Sequence, residues 1–534
     1  MSLVPRALAT ALVARRPLAA WPTTSGLVWC LAVCATGNLK GQCPDGTPPP
    51  CGARPARVAA APAANTVAVM YLDNATRDTS DAYLADGLTE EITTKLGQLG
   101  RLAVTSHSTM RRYRDATPEP TVLGRALRVA QLVSGSVRRS GHRIRVSVEL
   151  VRAKDGVQLW ADDYDRSDAD LLAIEAEIAR AVATAIAGRL LPDEQATLAA
   201  RPTRSGGAYD HLLRGNFFMA QRTPASVRRA IAEYEAATSL DPGFALAYGR
   251  IGFAYALFLD WSWPWPGLGR DSLLTLGTAA AGHALQLDSQ ATDGWVARGL
   301  LQSFLHPDTF DGVTEALARA TALDPNNAEA HHIYGVNLYM LGRVEPAAAE
   351  FRRALQLDPQ RAITWDNLAW LLKYQHRIAE SVRAADSGLA ADPGAYYLYA
   401  DRASMRLAAG DTAGAQADAE AAVRTSPAEY RSYAEPVLAE VEAAKGDSAA
   451  ARVLLAATIA RLPDPEHPNY VAAYGLAVAF LRLGDPDRAI AILEHARPAG
   501  VRAWFITRDP GFDPIRDTPR FRALVERTRP PAAP

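Results

Sequence analysis

The sequence predicts an α/β domain followed by an all-α solenoid of repeated helix pairs. Three observations carry this. Prolines recur in register every 34 residues across the middle of the chain, at Pro325, Pro359, Pro393 and Pro427. Alanine, the strongest helix former, is frequent after residue 170. Residues 65–192 instead alternate short apolar runs with helical patterns, the rhythm of a mixed α/β unit. A chain of 534 residues has room for two or more such domains.

The first element is a leader. Arg6, Arg15 and Arg16 precede the mostly apolar run Gly26–Gly37. Twelve residues fall short of the roughly 20 that span a bilayer but match the core of a signal peptide. Residues 1–37 are therefore read as a signal peptide, with a short uncleaved anchor as the alternative; only the anchor would bring membrane contact. Residues 38–64, rich in Pro, Gly and Ala, read as a linker. All four cysteines lie between residues 30 and 51, which leaves none for a zinc or thiol site in the main body. Cys43 and Cys51 bracket a turn-rich stretch. In an oxidising compartment they form a short-loop disulfide, and otherwise they are two free thiols.

In residues 65–192, Thr66–Leu72 reads as a buried strand and 81–99 as an amphipathic helix. Leu102–Thr105 is a short strand and Leu123–Leu127 a helical turn. Val129–Val137, Ile144–Val151 and Val157–Tyr164 are strands separated by turns at Ser140-Gly141 and Asp155-Gly156. A helix over 168–190 is expected to open on the capping box Ser167-x-x-Asp170.

Residues 208–501 hold about eight helix pairs, and 502–529 a capping segment rich in aromatic residues. Asp-Pro pairs close the second helix of most units, because proline cannot continue a helix and disfavours α geometry in the residue before it. Within units, Gly335, Ala347, Phe351 and Ala354, then Trp365, Leu368, Ala369 and Gly388, hold the small and large positions that let two helices cross closely. The 34-residue period and this pattern resemble the tetratricopeptide repeat (TPR). The expected architecture is thus an α/β N-terminal domain followed by an all-α tetratricopeptide-repeat solenoid.

A second resemblance covers nearly all of 65–192. Val67-Ala68-Val69, Leu84 to Ile92 (LADGLTEEI), Gly135 to Arg139 (GSVRR), Gln158 to Ala161 (QLWA) and Tyr164-Asp165-Arg166 resemble the TolB amino-terminal-like domain of bacterial proteins, which commonly precedes tetratricopeptide repeats. The closing Asp509 to Pro514 (DPGFDP) and Pro519-Arg520-Phe521 look like the same group. Some members add a cyclase, kinase or DNA-binding regulatory domain. Here the leader stands in that place, so those outputs are not expected.

The sequence contains no phosphate loop G-x-x-x-x-G-K-[ST], no H-E-x-x-H and no G-x-S-x-G. Gly135-Ser136 reads as a strand position rather than a nucleophile. His331-His332 point to different helix faces, which argues against a metal site. Asp162, Asp163, Asp165, Asp168 and Asp170 lack calcium-loop spacing and read as capping and solvated residues. No enzyme, cofactor or metal is expected. A net charge of -1 favours no nucleic acid.

What remains is a non-enzymatic interaction module or scaffold, binding an extended peptide or protein partner in the solenoid groove. The repeat resemblance places His332, Ile333, Val336 and Tyr339, then Asp366, Asn367, Trp370 and Lys373, on the concave face, with Tyr374 beside them. Trp370 and Tyr374 have packing between repeats as their competing role. Trp261, Trp263 and Trp265, in a loop between helices, are partner anchors or else cover the adjacent helix pair. The leader implies export, to the periplasm or cell envelope of a bacterium, with a membrane-anchored or cytoplasmic location as the alternative. The competing function is a signalling input module working with a separate cyclase, kinase or transcriptional regulator.

Overall fold

The computed structural model describes residues 62–528, apart from 77, 79, 80, 115–117, 168, 169, 262, 307–309, 311, 463, 467, 469 and 497–502. The leader, most of the linker and the Cys43–Cys51 pairing lie outside the described residues.

The α/β part is built on a six-stranded sheet with the path β3-β1-β4-β5-β6. Its strands are β1 (Thr66–Val69), β2 (Asp73–Asn74), β3 (Ala103–Val104), β4 (Gln131–Ser140), β5 (Arg143–Arg152) and β6 (Val157–Ser167). Strands β1, β2 and β3 run parallel to their neighbours, and β4, β5 and β6 form an antiparallel meander. Alternation along β5 sends Ile144, Val146, Val148 and Leu150 to one buried face. Helix α1 (Ala82–Gly97) covers that face with Leu84, Leu88, Ile92 and Leu96, spaced four apart so that they share one side. The short helix α2 (His107–Met110) and α3 (Pro120–Leu127) close the other face through Met110 and Leu123 against Ala68 and Leu132.

Helix α4 (Leu171–Ala187) starts later than its sequence signal. Ser167 ends β6, and Asp170 takes the N-cap position of α4 without a cap bond from its own side chain. Gly135 has a packing reason to be glycine: a Cβ there would stand 2.1 Å from the Ser147 carbonyl oxygen on β5. Asp163 and Asp165, weighed above as calcium ligands, pair across the strands with Arg145 and Arg143.

After α5 (Pro192–Ala199) come eight helix pairs. They are α6 (Gly206–Met219) with α7 (Pro224–Leu240), α8 (Ala245–Asp260) with α9 (Arg270–Leu287), α10 (Thr292–Leu305) with α11 (Val313–Leu323), and α12 (Ala328–Met340) with α13 (Val344–Leu357). Then follow α14 (Ala362–Tyr374) with α15 (Ile378–Ala391), α16 (Tyr396–Ala408) with α17 (Thr412–Thr425), α18 (Arg431–Ala444) with α19 (Ser448–Arg461), and α20 (Tyr470–Arg482) with α21 (Pro486–His495). Helices α22 (Ala503–Arg508) and α23 (Pro519–Thr528) end the described chain.

The Asp-Pro signature has two physical parts. Proline stops the helix, and the aspartate carboxylate accepts the amide two residues on, as Asp241 does from Gly243, Asp358 from Gln360 and Asp392 from Gly394, at 2.9–3.1 Å. Trp365 then ties the next helix to this turn, its indole N–H donating to the Pro359 carbonyl at 2.8 Å. Inside a pair the fit is small against large rather than small against small. A Cβ on Gly335 would stand 2.7 Å from the Phe351 ring, and one on Gly215 2.2 Å from the Tyr234 ring. The α/β part and the first helix pairs share one continuous apolar core, from Val67 to Ile333.

Candidate functional site

The first helices of successive pairs, α12, α14, α16, α18 and α20, bring together one cluster of aromatic and ionisable side chains. On α14, Trp370, Lys373 and Tyr374 fall on one side because they are three and four residues apart. Tyr339 of α12 lies next to Tyr374, with ring centroids 6.2 Å apart. Lys373 is 2% exposed. Its ammonium sits 4.5 Å from the Trp370 ring centre and donates to Ser404 Oγ of α16 at 3.0 Å. Its third partner is the Asp509 carboxylate, at 2.9 Å and wholly buried.

Asp509 belongs to the segment after the last helix pair, so the chain itself fills this part of the cluster. Tyr474 of α20 donates to the same carboxylate oxygen, Oδ2, and Tyr374 donates to the Tyr474 hydroxyl at 3.3 Å. Asp509 Oδ1 accepts the Gly511 amide at 2.6 Å, and Arg516 donates to its carbonyl at 3.1 Å. Phe505, one helical turn earlier, reaches Tyr339 at 4.9 Å and Tyr374 at 5.9 Å between ring centres. Burial, and then Asp509, hold the Tyr474 hydroxyl far above its usual range.

Asp366 of α14 and Asp401 of α16 face one another from neighbouring first helices. Burial, then Asp401, raises Asp366 well above the carboxylate range; Asp401 of α16 is also raised by burial, although Tyr433 and Trp370 donate to it. Asp366 Oδ1 is buried with no hydrogen-bond partner among the described residues. On α18, Glu440 accepts Arg482 at 3.2 Å, and burial pushes its carboxyl upward.

The other expected groove residues are placed differently. His332 is buried and hydrogen-bonded to Thr364 at 2.9 Å; burial, with Arg361 beside it, pulls its imidazole down to about 3. Asn367 is half-buried and donates to the Ile363 carbonyl of its own helix at 3.0 Å. His331 is held by Glu350 at 2.5 Å and the Pro325 carbonyl at 3.1 Å. No metal-holding group of His, Cys, Asp and Glu occurs among the described residues.

In the loop between α8 and α9, Trp263 is buried and its indole donates to the Tyr430 hydroxyl at 3.1 Å, 167 residues away in sequence. Trp265 packs on Tyr255 and Phe258. Trp261, stacked on Trp263, is 38% exposed. Two of the three tryptophans thus serve packing, and Trp261 alone of them offers a large free surface.

Sequence reasoning named Tyr339, Asp366, Trp370, Lys373 and Tyr374. It missed Ser404, Asp401, Glu440, Tyr474, Phe505 and Asp509. The Asp509-Pro510 pair was visible as a motif, but nothing in the local sequence tells that its carboxylate meets a lysine 136 residues upstream. The assembled set can hold an extended segment carrying an aromatic ring and a carboxylate.

Residues 328–361 match the tetratricopeptide repeat family model. The chain is 31% identical over 231 residues to "Putative adenylate cyclase 3" of Rhizobium meliloti, a stretch covering 42% of this chain and 39% of that one. It is 25% identical over 174 residues to the transcriptional regulator HilA of Salmonella typhimurium, covering 33% of this chain and 30% of that one. The chain thus spans well under half the length of either relative. A tetratricopeptide repeat protein structure from Parabacteroides merdae is similar at 17% identity and a TM-score of 0.35, covering 51% of this chain and 99% of that one. The structure described for Pseudomonas aeruginosa pilF is similar at 18% identity and a TM-score of 0.33, covering 41% of this chain and 90% of that one. Among the described residues no helix is long and apolar enough to cross a membrane. Helix pairs of tetratricopeptide type, with a repeat of that family at residues 328–361, therefore carry the candidate site.

Proposed function

We propose that this chain is a non-enzymatic interaction module whose repeats hold an extended segment of a protein or peptide partner. One observation carries the reading: three first helices, α12, α14 and α20, meet the short segment around Phe505 and Asp509 with rings, an ammonium group and a hydroxyl. That is the chemistry by which a repeat groove grips a linear segment. Trp370, Lys373, Tyr374 and Tyr339 are its contact residues, and Trp261 is a second anchor outside it. The residues quoted above support reading the α/β part as a TolB amino-terminal-like domain. The leader supports export to the periplasm or cell envelope, where Cys43 and Cys51 would be oxidised.

The test is affinity capture with the full chain and with a Trp370→Ala/Tyr374→Ala version, both checked for folding by circular dichroism. A partner held by the first and lost by the second supports the reading. Failure to recover any specific partner from any fraction of the source cells would sink it. The second reading, a signalling input module acting with a separate cyclase or transcriptional regulator, is favoured by the names of the two sequence relatives. Fractionation that puts the chain in the cytoplasm beside such an enzyme would move the weight there.

A further inference from the structure

In a repeat stack each unit needs only its neighbours. The segment after the last pair departs from this, and it divides into two parts. Phe512, Ile515, Phe521 and Leu524 pack with Leu476, Phe480, Ile490 and Leu493 of the final pair, as a cap should. Phe505 instead joins the apolar cluster of α12 to α16, together with Tyr339, Leu371 and Tyr374. Asp509 crosses to Lys373 and Tyr474. A cap does not require this second part.

Nor is the crossing built for greatest stability. Taking an ammonium and a carboxylate out of water offsets most of their attraction, and apolar residues of similar volume hold such a position at least as well. The buried pair does discriminate: a segment without the carboxylate would leave the Lys373 ammonium buried and unpaired. Helix α22, which carries Phe505, has 6 residues, too few to be stable alone.

Building on the interaction reading above, we infer that Phe505–Phe512 is a built-in occupant of the groove, which is displaced by a partner segment with an aromatic residue four positions before an aspartate. Phe505 and Asp509 have this spacing, and it puts ring and carboxylate on one side of a helical turn. The aromatic side chain packs against both Tyr339 and Tyr374, and the aspartate meets Lys373 and Tyr474. Partner binding then competes with the chain's own segment.

The probe is a fluorescent peptide of residues 503–517, titrated by anisotropy into the full chain. Phe505→Ala/Asp509→Ala is expected to bind it at least tenfold more tightly than wild type, because the competitor is gone and the groove remains. Adding Lys373→Met, or using a peptide with Asp509→Asn, removes that gain. Equal affinity of wild type and the double variant overturns the inference, and so does a peptide that binds neither. Phe505→Ala alone, which keeps the ion pair, repeats the test if the double variant misfolds. On wild type, hydrogen exchange of residues 505–511 is expected at least tenfold faster than that of Leu476–Phe480. Equal protection would make the segment fixed core and end the proposal. A concentration-dependent dimer that buries the segment would give the groove to a second copy and likewise overturn it. None of these failures touches the broader interaction reading, which stands or falls on partner capture.

Discussion

Tyr209 of α6 donates its hydroxyl to Glu175 of α4 at 2.6 Å, with both side chains buried. This bond joins the α/β part to the first helix of the repeats. Burial raises Glu175 well above the carboxylate range, and its other oxygen has no partner among the described residues. Nearby, Asp210 accepts Tyr83 at 2.6 Å and Arg139 at 3.1 Å across the same boundary. Tyr209→Phe leaves a buried carboxyl without its donor. The expected loss is about 1–3 kcal/mol in chemical denaturation, with a single transition for both parts.

Stability should also depend on Glu91 of α1. Burial, then the neighbouring Glu90, pushes it from 4.5 up to about 7, against the pull of Arg250 and Lys95. The folded state therefore prefers the protonated acid. That preference is fully present below pH 4.5 and is lost as pH rises through about 7. Glu91→Gln keeps the neutral shape. It should match wild type at pH 4.5 and exceed it at pH 8 by about 1–2 kcal/mol, since the side chain is only partly enclosed. Thermal melts at the two pH values decide this, and an equal difference at both would refute the assignment.

The opposite sign is expected for Glu329 of α12. Burial would raise it, but Arg361 and Arg222 outweigh burial and hold it at about 2. Its contribution is present above 4.5 and disappears as pH falls through about 2. Arg222 comes from the turn between α6 and α7, at 2.8 Å, so this carboxylate ties the first pair to the fourth. Arg361→Met should lose stability at pH 7, where Glu329 is ionised, and the difference from wild type should shrink as pH falls toward about 2, as read by chemical denaturation across pH.

The tryptophan loop gives a direct contrast. Trp263→Ala removes a buried ring and the bond to Tyr430, and is expected to cost about 3–5 kcal/mol. Trp261→Ala, at an exposed position, should stay within about 1 kcal/mol of wild type. Partner capture by Trp261→Ala then reads binding free of any folding defect.

Gly335 and Phe351 test the packing rule within a pair. Gly335→Ala should destabilise by about 1–3 kcal/mol, because its methyl group would meet the Phe351 ring. Phe351→Leu in the same chain should restore part of that loss, as read by melting temperature.

The fold was legible wherever the sequence carries a period. The proline steps exposed the helix pairs, and alternation in Ile144–Val151 exposed β5. Short elements without a period were not readable: β2 is two residues whose pairing depends on β4, and α2 is a single turn. Ser167 belongs to the β6 ladder, so the start of α4 at Leu171 was not readable from the local sequence. In the site, position within a repeat pointed to Trp370 and Lys373. Their partners Asp509 and Phe505 are set by how the stack closes over its own tail, which leaves no local mark. His332 carried the same positional signal as Tyr339, yet its ring is taken up by Thr364.

The order of synthesis gives the Lys373–Asp509 contact a further meaning. Every helix that lines the groove leaves the ribosome before residue 505, on a chain elongating at about 5–20 residues per second. The nascent protein thus has an interval in which Lys373, Tyr374 and Tyr474 are made and their carboxylate is not. The ion pair is therefore among the last contacts of the stack to form, closing only once the final helix pair has been made.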